Sequence, residues 1–230
     1  MQRRKFIQHT IMASAAIAVS KYASAKGVTD FPLVRTPAAQ RKFKSVAVEK
    51  IITEVKSKIG NKEIAWIFEN SFPNTLDTTV DFETINGKPD TFVITGDIDA
   101  MWLRDSTAQV WPYVPLCKED AGLKELIKGV INRQVKCILK DPYANAFYKD
   151  ENKVSEWKAT DITDMKPGIH ERKWEIDSLC YPIRLSYGYW KETGDNSIFD
   201  KNWVAAMKLI VKTFKEQQRF ENQGPYTFQR

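Results

Sequence analysis

Three carboxylates, one guanidinium and two indoles fall within Gly96-Asp97-Ile98-Asp99-Ala100-Met101-Trp102-Leu103-Arg104-Asp105-Ser106-Thr107-Ala108-Gln109-Val110-Trp111-Pro112. Carboxylates accept hydrogen bonds from hydroxyls, a guanidinium donates in a fork, and an indole covers a C–H face. The set therefore suits a pocket that grips a polyhydroxylated ring. The plainer alternative is an Arg104–Asp105 pair at a helix end, with Trp102 and Trp111 in the core. A second cluster, His170-Glu171-Arg172-Lys173-Trp174-Glu175-Ile176-Asp177, places acids beside aromatic residues at another loop-to-helix junction.

Glycoside hydrolysis needs two carboxyl groups, one to protonate the leaving oxygen and one to act as base or nucleophile, plus side chains that bind the ring. Spacing alone does not choose among Asp97, Asp99, Asp105, Glu171, Glu175 and Asp177 for those roles. Asp177 is equally suited to capping a helix, and His170 is either a hydroxyl ligand or an ordinary loop histidine. Other catalytic templates fail: there is no Gly-x-Ser-x-Gly elbow, no phosphate-cradling Gly-x-x-x-x-Gly-Lys and no dinucleotide glycine fingerprint. Cys180 lies on an apolar helix face, without the context that would make it a nucleophile for His170.

The elements that must position these residues are mostly helical. Apolar residues recur with helical period from Gln40 to Ile59 (Phe43, Val46, Ile51, Ile52, Val55), and Lys62 to Asn70 forms a second candidate stopped by Pro73. Thr78–Ile85 and Thr91–Thr95, joined by the turn Asn86-Gly87-Lys88-Pro89, predict a β-hairpin that delivers the chain into Gly96-Asp97. Leu123 to Leu139 restores the helical period, and Asp141-Pro142 closes it. Pro142 to Arg172 is irregular, polar and aromatic, a length of loop more often functional than filler. A helix follows with Asp177 or Ser178 as cap and Pro182 tolerable near its first turn. A last amphipathic helix runs from about Lys201 to Gln218. Helices in series with long acid-rich loops suit a solenoid or an α/α toroid, although four or five helices cannot close a ring.

Met1 to Ala25 reads as an export signal, with Arg3-Arg4-Lys5 before a short apolar run and Ala23-Ser24-Ala25 as the cleavage pattern. Arg3-Arg4-Lys5-Phe6-Ile7 also matches a twin-arginine signature. The expected address is periplasmic or extracellular, and the apolar run is too short to span a bilayer. The chain of 230 residues carries 35 Lys+Arg and 29 Asp+Glu, net +6. Without Arg3, Arg4, Lys5 and Lys21 the remaining 26–230 domain has 31 basic residues against 29 acidic. That near balance gives no reason to expect a nucleic-acid partner. Cys117, Cys137 and Cys180 make no framework and are expected as buried free thiols. With His9 in the signal, His170 alone cannot build a His/Cys metal cluster. No metal or cofactor is expected.

The run Gly96 to Ser106, continued by Trp111-Pro112-Tyr113, resembles glycoside hydrolase family 125, and Trp174-Glu175-Ile176-Asp177-Ser178-Leu179-Cys180-Tyr181-Pro182 resembles a second block of that family. The resemblance implies an (α/α)6 toroid and a metal-independent, inverting exo-α-1,6-mannosidase acting on mannose-containing oligosaccharides or N-glycans, expected as a monomer. It carries a terminal-mannose-binding role to Arg104 and Asp105 first, then to Asp97 and Trp102. Glu175 and Asp177 are candidates of the second motif, and Asp99, His170, Glu171 and Trp174 are further possible ligands. It also implies a general acid in a Phe-Arg-Pro-Ser-Asp-Asp block and a base nearer the C-terminus, in chains roughly twice this length. Neither block occurs here. The expectation is a mainly α, partial toroid with one β-hairpin insertion, the N-terminal half of such an enzyme, with its catalytic acid and base beyond Arg230. The competing expectations are a mannoside-binding protein without chemistry, and an α/α-toroid hydrolase or lyase for another sugar.

Overall fold

Two helix N-termini are tied together by one hydroxyl, and this contact organises the first half of the chain. Ser45 caps α1 (Val46–Lys58), its Oγ accepting from the Val48 N–H at 3.2 Å and donating to Asp120 Oδ2 at 2.6 Å. Asp120 in turn caps α4 (Ala121–Lys140) through the Leu123 N–H at 2.9 Å. The computed structural model describes residues 31–230, so the expected export signal lies outside the described residues. Residues 35–230 form one compact unit. The helix expected from Gln40 starts only at Val46, after the Ser45 cap, because the residues before it form a short 3-10 turn, Ala38–Gln40, and an extended link.

Asn61 caps α2 (Lys62–Ser71), accepting from the N–H groups of Glu63 and Ile64. A wide turn of π geometry over Thr75–Thr79 takes up the start of the expected strand, and β1 (Val80–Ile85) pairs antiparallel with β2 (Lys88–Val93). The register runs from Val80 opposite Val93 to Ile85 opposite Lys88, so the turn is tighter than the sequence suggested. Asn86 and Gly87 both take positive φ, as the two-residue hairpin turn requires. β2 lies across α4 so closely that a Cβ on Gly129 would sit 2.9 Å from the Thr91 nitrogen and 3.0 Å from the Asp90 carbonyl carbon.

After the hairpin come β3 (Met101–Trp102), α3 (Leu103–Val110) and a 3-10 helix over Trp111–Lys118. The stretch Pro142 to Arg172, expected to be irregular, holds β4 (Ala146–Phe147), a 3-10 turn (Glu156–Ala159) and β5 (Ile169–Glu171). β3, β4 and β5 form a second antiparallel sheet, which corrects the expectation of a single hairpin. Strands of two or three residues leave no alternation to read. α5 (Ile176–Thr193) ends on Gly194 at φ 69°, and α6 (Lys201–Gln217) is capped by Asp200. Pro182 lies inside α5 rather than at its start, a second correction.

The described residues are mainly helical, with α3 packed on α5 and α4 packed on α6. One apolar cluster joins α1, the hairpin, α4 and the distal part of α5. A second, around Leu103, Ile138, Phe147, Ile169, Leu179 and Ile210, lies under the second sheet. Cys117, Cys137 and Cys180 are all free thiols. Burial pushes Cys117 and Cys137 up to about 12, but Cys180 is exposed, contrary to expectation, because it faces outward on α5. No helix of the described residues is long and apolar enough to cross a membrane.

Candidate active site

Leu103, Ile169 and Leu179 are fully buried in the second apolar cluster, and each lies next to or near a residue that the sequence marked as chemical. Burying these anchors fixes the backbone of Arg104, His170 and Asp177 on rigid elements. The second sheet does the rest. Met101 pairs with Phe147, Trp102 with Ala146, and Ala146 with Glu171, so β4 brings the two chemical segments to one sheet.

Asn145 completes the joint. Its carbonyl accepts from the Leu103 N–H at 3.1 Å, its N–H donates to the Glu171 carbonyl, and its side chain serves Glu171 Oε2 (2.7 Å) and the Lys173 N–H (3.1 Å). In the sequence Asn145 falls within the irregular stretch Pro142 to Arg172. Its only signal was the polar and aromatic composition of that stretch.

The two motifs meet at Arg104. Its Nη1 donates to Asp177 Oδ2 at 2.9 Å and lies 3.4 Å from Glu175 Oε2, while Nε lies 3.5 Å from Asp105 Oδ2. The hydrogen bond to Asp177 and the surrounding acids raise the Arg104 guanidinium above its ordinary value, against the desolvation that opposes it. A single cation thus faces three carboxylates drawn from α3 and the start of α5. Each of the four side chains is between 31% and 40% exposed, so the cluster is open to a ligand.

Asp105 Oδ2, Trp174 Nε1 and Asp177 Oδ1 are buried atoms without a hydrogen-bond partner among the described residues. Such atoms cost about 1–3 kcal/mol each when left unserved. A ring bearing several hydroxyls supplies both the donors that the carboxylates need and the acceptor that the indole needs. Asp177 does not cap α5: the cap position is Glu175, and no side chain bonds the first amides.

Trp102 and Tyr148 flank the imidazole of His170, edge to face, at centroid distances of 5.0 and 5.1 Å. His170 Nδ1 pairs with the Tyr148 hydroxyl at 2.8 Å, and the residue is buried. Burial holds its imidazole below the ordinary histidine value. Glu156 and Glu171 pull the other way, and Lys153 and Arg230 add to the depression.

The unfolded chain therefore binds a proton below about pH 6.5 that the fold excludes. Stability is full above that pH and declines as pH falls toward the folded value. Urea midpoints at pH 8, 6.5 and 5 should show this decline, and His170→Gln should flatten it. An equal slope in the variant would place the proton elsewhere.

The structure does not gather every candidate. Asp97 is exposed, and its carboxylate makes no ion pair or hydrogen bond among the described residues. Asp99 is 76% exposed and turns to Lys153 Nζ at 3.1 Å. Glu171 has each oxygen on a structural donor, Asn145 on one and Arg230 (2.7 Å) on the other. A cavity of about 390 Å³ between the hairpin and α4 is lined by Asn86, Lys88, Asn132 and Asp200 among others, and by no residue of either motif. No group of three or more His, Cys, Asp and Glu among the described residues is arranged to hold a metal ion.

The chain has known relatives. The family model for metal-independent alpha-mannosidase (GH125) matches residues 61–230. The chain is 39% identical over 200 residues to the meiotically up-regulated gene 157 protein of Schizosaccharomyces pombe, covering 84% of this chain and 39% of that protein. It is also similar to a solved metal-independent α-mannosidase of Streptococcus pneumoniae, held in a non-productive complex with α-1,6-mannobiose. There the identity is 45% and the TM-score 0.74, over 82% of this chain and 43% of that one. The chain thus spans about two fifths of the length of these relatives. Both motifs that converge on Arg104 lie inside the matched residues, and the chain belongs to the metal-independent α-mannosidase family, GH125.

Proposed function

We propose that this chain supplies the terminal-mannose-binding wall of an exported exo-α-1,6-mannosidase that works with inversion and without a metal. The observation that carries the reading is the bond between Arg104 of the first motif and Asp177 of the second, with Glu175 and Asp105 beside it. Each of these carboxylates already turns an oxygen to Arg104, which suits ligands that orient hydroxyls. Asp177 Oδ1 and Trp174 Nε1 remain to be served, and Asp105 Oδ2 has no hydrogen bond beyond its 3.5 Å ion pair with Arg104. Trp102, held edge-on to His170, offers an apolar surface for the C–H side of the ring.

In an inverting mechanism one carboxylic acid protonates the glycosidic oxygen while a carboxylate activates water on the opposite face. In this proposal that pair lies outside the described residues, and residues 35–230 form part of an (α/α)6 toroid. The solved relative's complex with α-1,6-mannobiose supports the choice of linkage.

The test is mannose release from α-1,6-mannobiose by the intact gene product, followed by proton NMR to read the first-formed anomer. Release of the inverted anomer, undiminished in chelator, is expected. The retained anomer or loss of activity in chelator would overturn the mechanism. Tight binding without release would make this a sugar-binding protein.

A further inference from the structure

We infer that Tyr226 and Arg230, far along the chain from both motifs, are positioning residues that set the approach of Trp174, Glu175 and Asp177 to the sugar. The inference rests on the mannose-binding reading of the Arg104 cluster. It starts from a gap in local structure: α5 begins without a side-chain cap, although its first turn carries Asp177 and its cap position Glu175. A helix start is usually fixed by such a cap. Here the backbone just before it is clamped from a distance.

The Tyr226 hydroxyl accepts from the Trp174 N–H at 2.8 Å and donates to the Arg172 carbonyl at 3.2 Å. Between them, the Lys173 N–H goes to Asn145. Three successive residues of the approach to Glu175 are thereby held, two of them by one phenol. That phenol has little freedom. Its ring stacks on Tyr143 at 4.9 Å, and the Arg172 guanidinium, anchored to Asp141 at 2.8 Å, lies 5.3 Å from both ring centroids.

Arg230 holds the other side of the same segment. Its guanidinium forks onto the carboxylate of Asp161 with two bonds of 2.8 Å and reaches Glu171 at 2.7 Å, with its flat face 3.8 Å from the centre of the Trp157 ring. Gln229 pairs with Ile162 through the backbone, which carries Arg230 to this place. Lysine cannot reproduce a fork and a third bond together.

Tyr226→Phe keeps the stack and removes only the hydroxyl. Tyr143→Phe is the matched control, because it removes a hydroxyl from the same stack that points instead to Glu216 on α6. In the intact gene product, Tyr226→Phe should weaken α-1,6-mannobiose binding by about tenfold, the scale of one unserved amide. It should also speed amide exchange over residues 172–178, and Arg230→Lys should act in the same direction. Tyr143→Phe should lower thermal stability while leaving the affinity and that exchange unchanged.

Equal affinity in the wild type and Tyr226→Phe, or equal losses in both tyrosine variants, would overturn the inference. Should the wild type bind no mannoside, the sugar reading fails and exchange alone decides the positioning role. Faster exchange at 172–178 in Tyr226→Phe only would support it, and no difference between the two variants would end it.

Discussion

Replacing Arg104 by alanine is expected to cut mannoside affinity and kcat/KM in the intact gene product by about 10²-fold, with little change in thermal stability. Charge-assisted hydrogen bonds contribute about 1.5–3 kcal/mol each, and every 1.4 kcal/mol is tenfold. The loss goes beyond the contacts of one side chain. Asp105, Glu175 and Asp177 point at a common cation. Without it, three like charges would turn apart into solvent and carry the sugar's hydrogen-bond acceptors with them.

The stability effect stays small because all four groups are part-exposed, where ion pairs are screened. Arg104→Lys should recover little, since an ammonium is a point charge and cannot span Asp105 on one side and Asp177 on the other. Calorimetric titration with α-1,6-mannobiose and a release assay read the two effects separately. Unchanged kcat/KM in Arg104→Ala would show that the cluster is structural.

The convergence on Arg104 also shows how far the sequence could be read. Both motifs were visible as dense runs of acids beside aromatic residues, and helical periodicity placed α4 and α6 within a residue or two. What joins the motifs was not visible. Trp102 and Glu171 are 69 residues apart, and the sheet that unites them rests on strands too short for alternation. Asn145, Tyr226 and Arg230 act through geometry that no spacing rule encodes.

By spacing alone Asp97 and Asp99 stand level with Asp105, and only the family resemblance ranks Asp105 ahead of them. They differ because Leu103 is buried and pins the first turn of α3, whereas Asp97 and Asp99 ride on an exposed loop. A glycine at 129, inside α4, is required by the crossing of β2 rather than by the helix itself.

Replacing Arg133 by methionine is expected to remove about 3–5 kcal/mol of stability while leaving mannoside affinity intact. Arg133, on α4, is 4% exposed, and its Nε donates to Asp90 Oδ1 on β2 at 2.7 Å. Its guanidinium also lies 5.6 Å from the centre of the Phe92 ring. Methionine fills much of the same space but leaves the Asp90 carboxylate buried without its cation, which is the costly way to break such a pair.

Removing both charges, as Arg133→Met with Asp90→Leu, should recover most of the loss, because two apolar side chains carry no unmet desolvation. For a chain of this size the single variant should melt roughly 8–15 °C lower. The neighbouring Gln134 holds the start of α3 through Ser106 Oγ and Thr107 Oγ1, both at 2.9 Å, and it is untouched by the change. Arg104 should therefore keep its place in whatever fraction remains folded. Urea unfolding of the single and double variants measures the coupling, and a single-variant loss under about 1 kcal/mol would mean that water or Lys149, through Glu83, compensates at the hairpin. The two expected results separate Arg104 from Arg133: affinity should follow the first, at an open cluster, and stability the second, at a closed one.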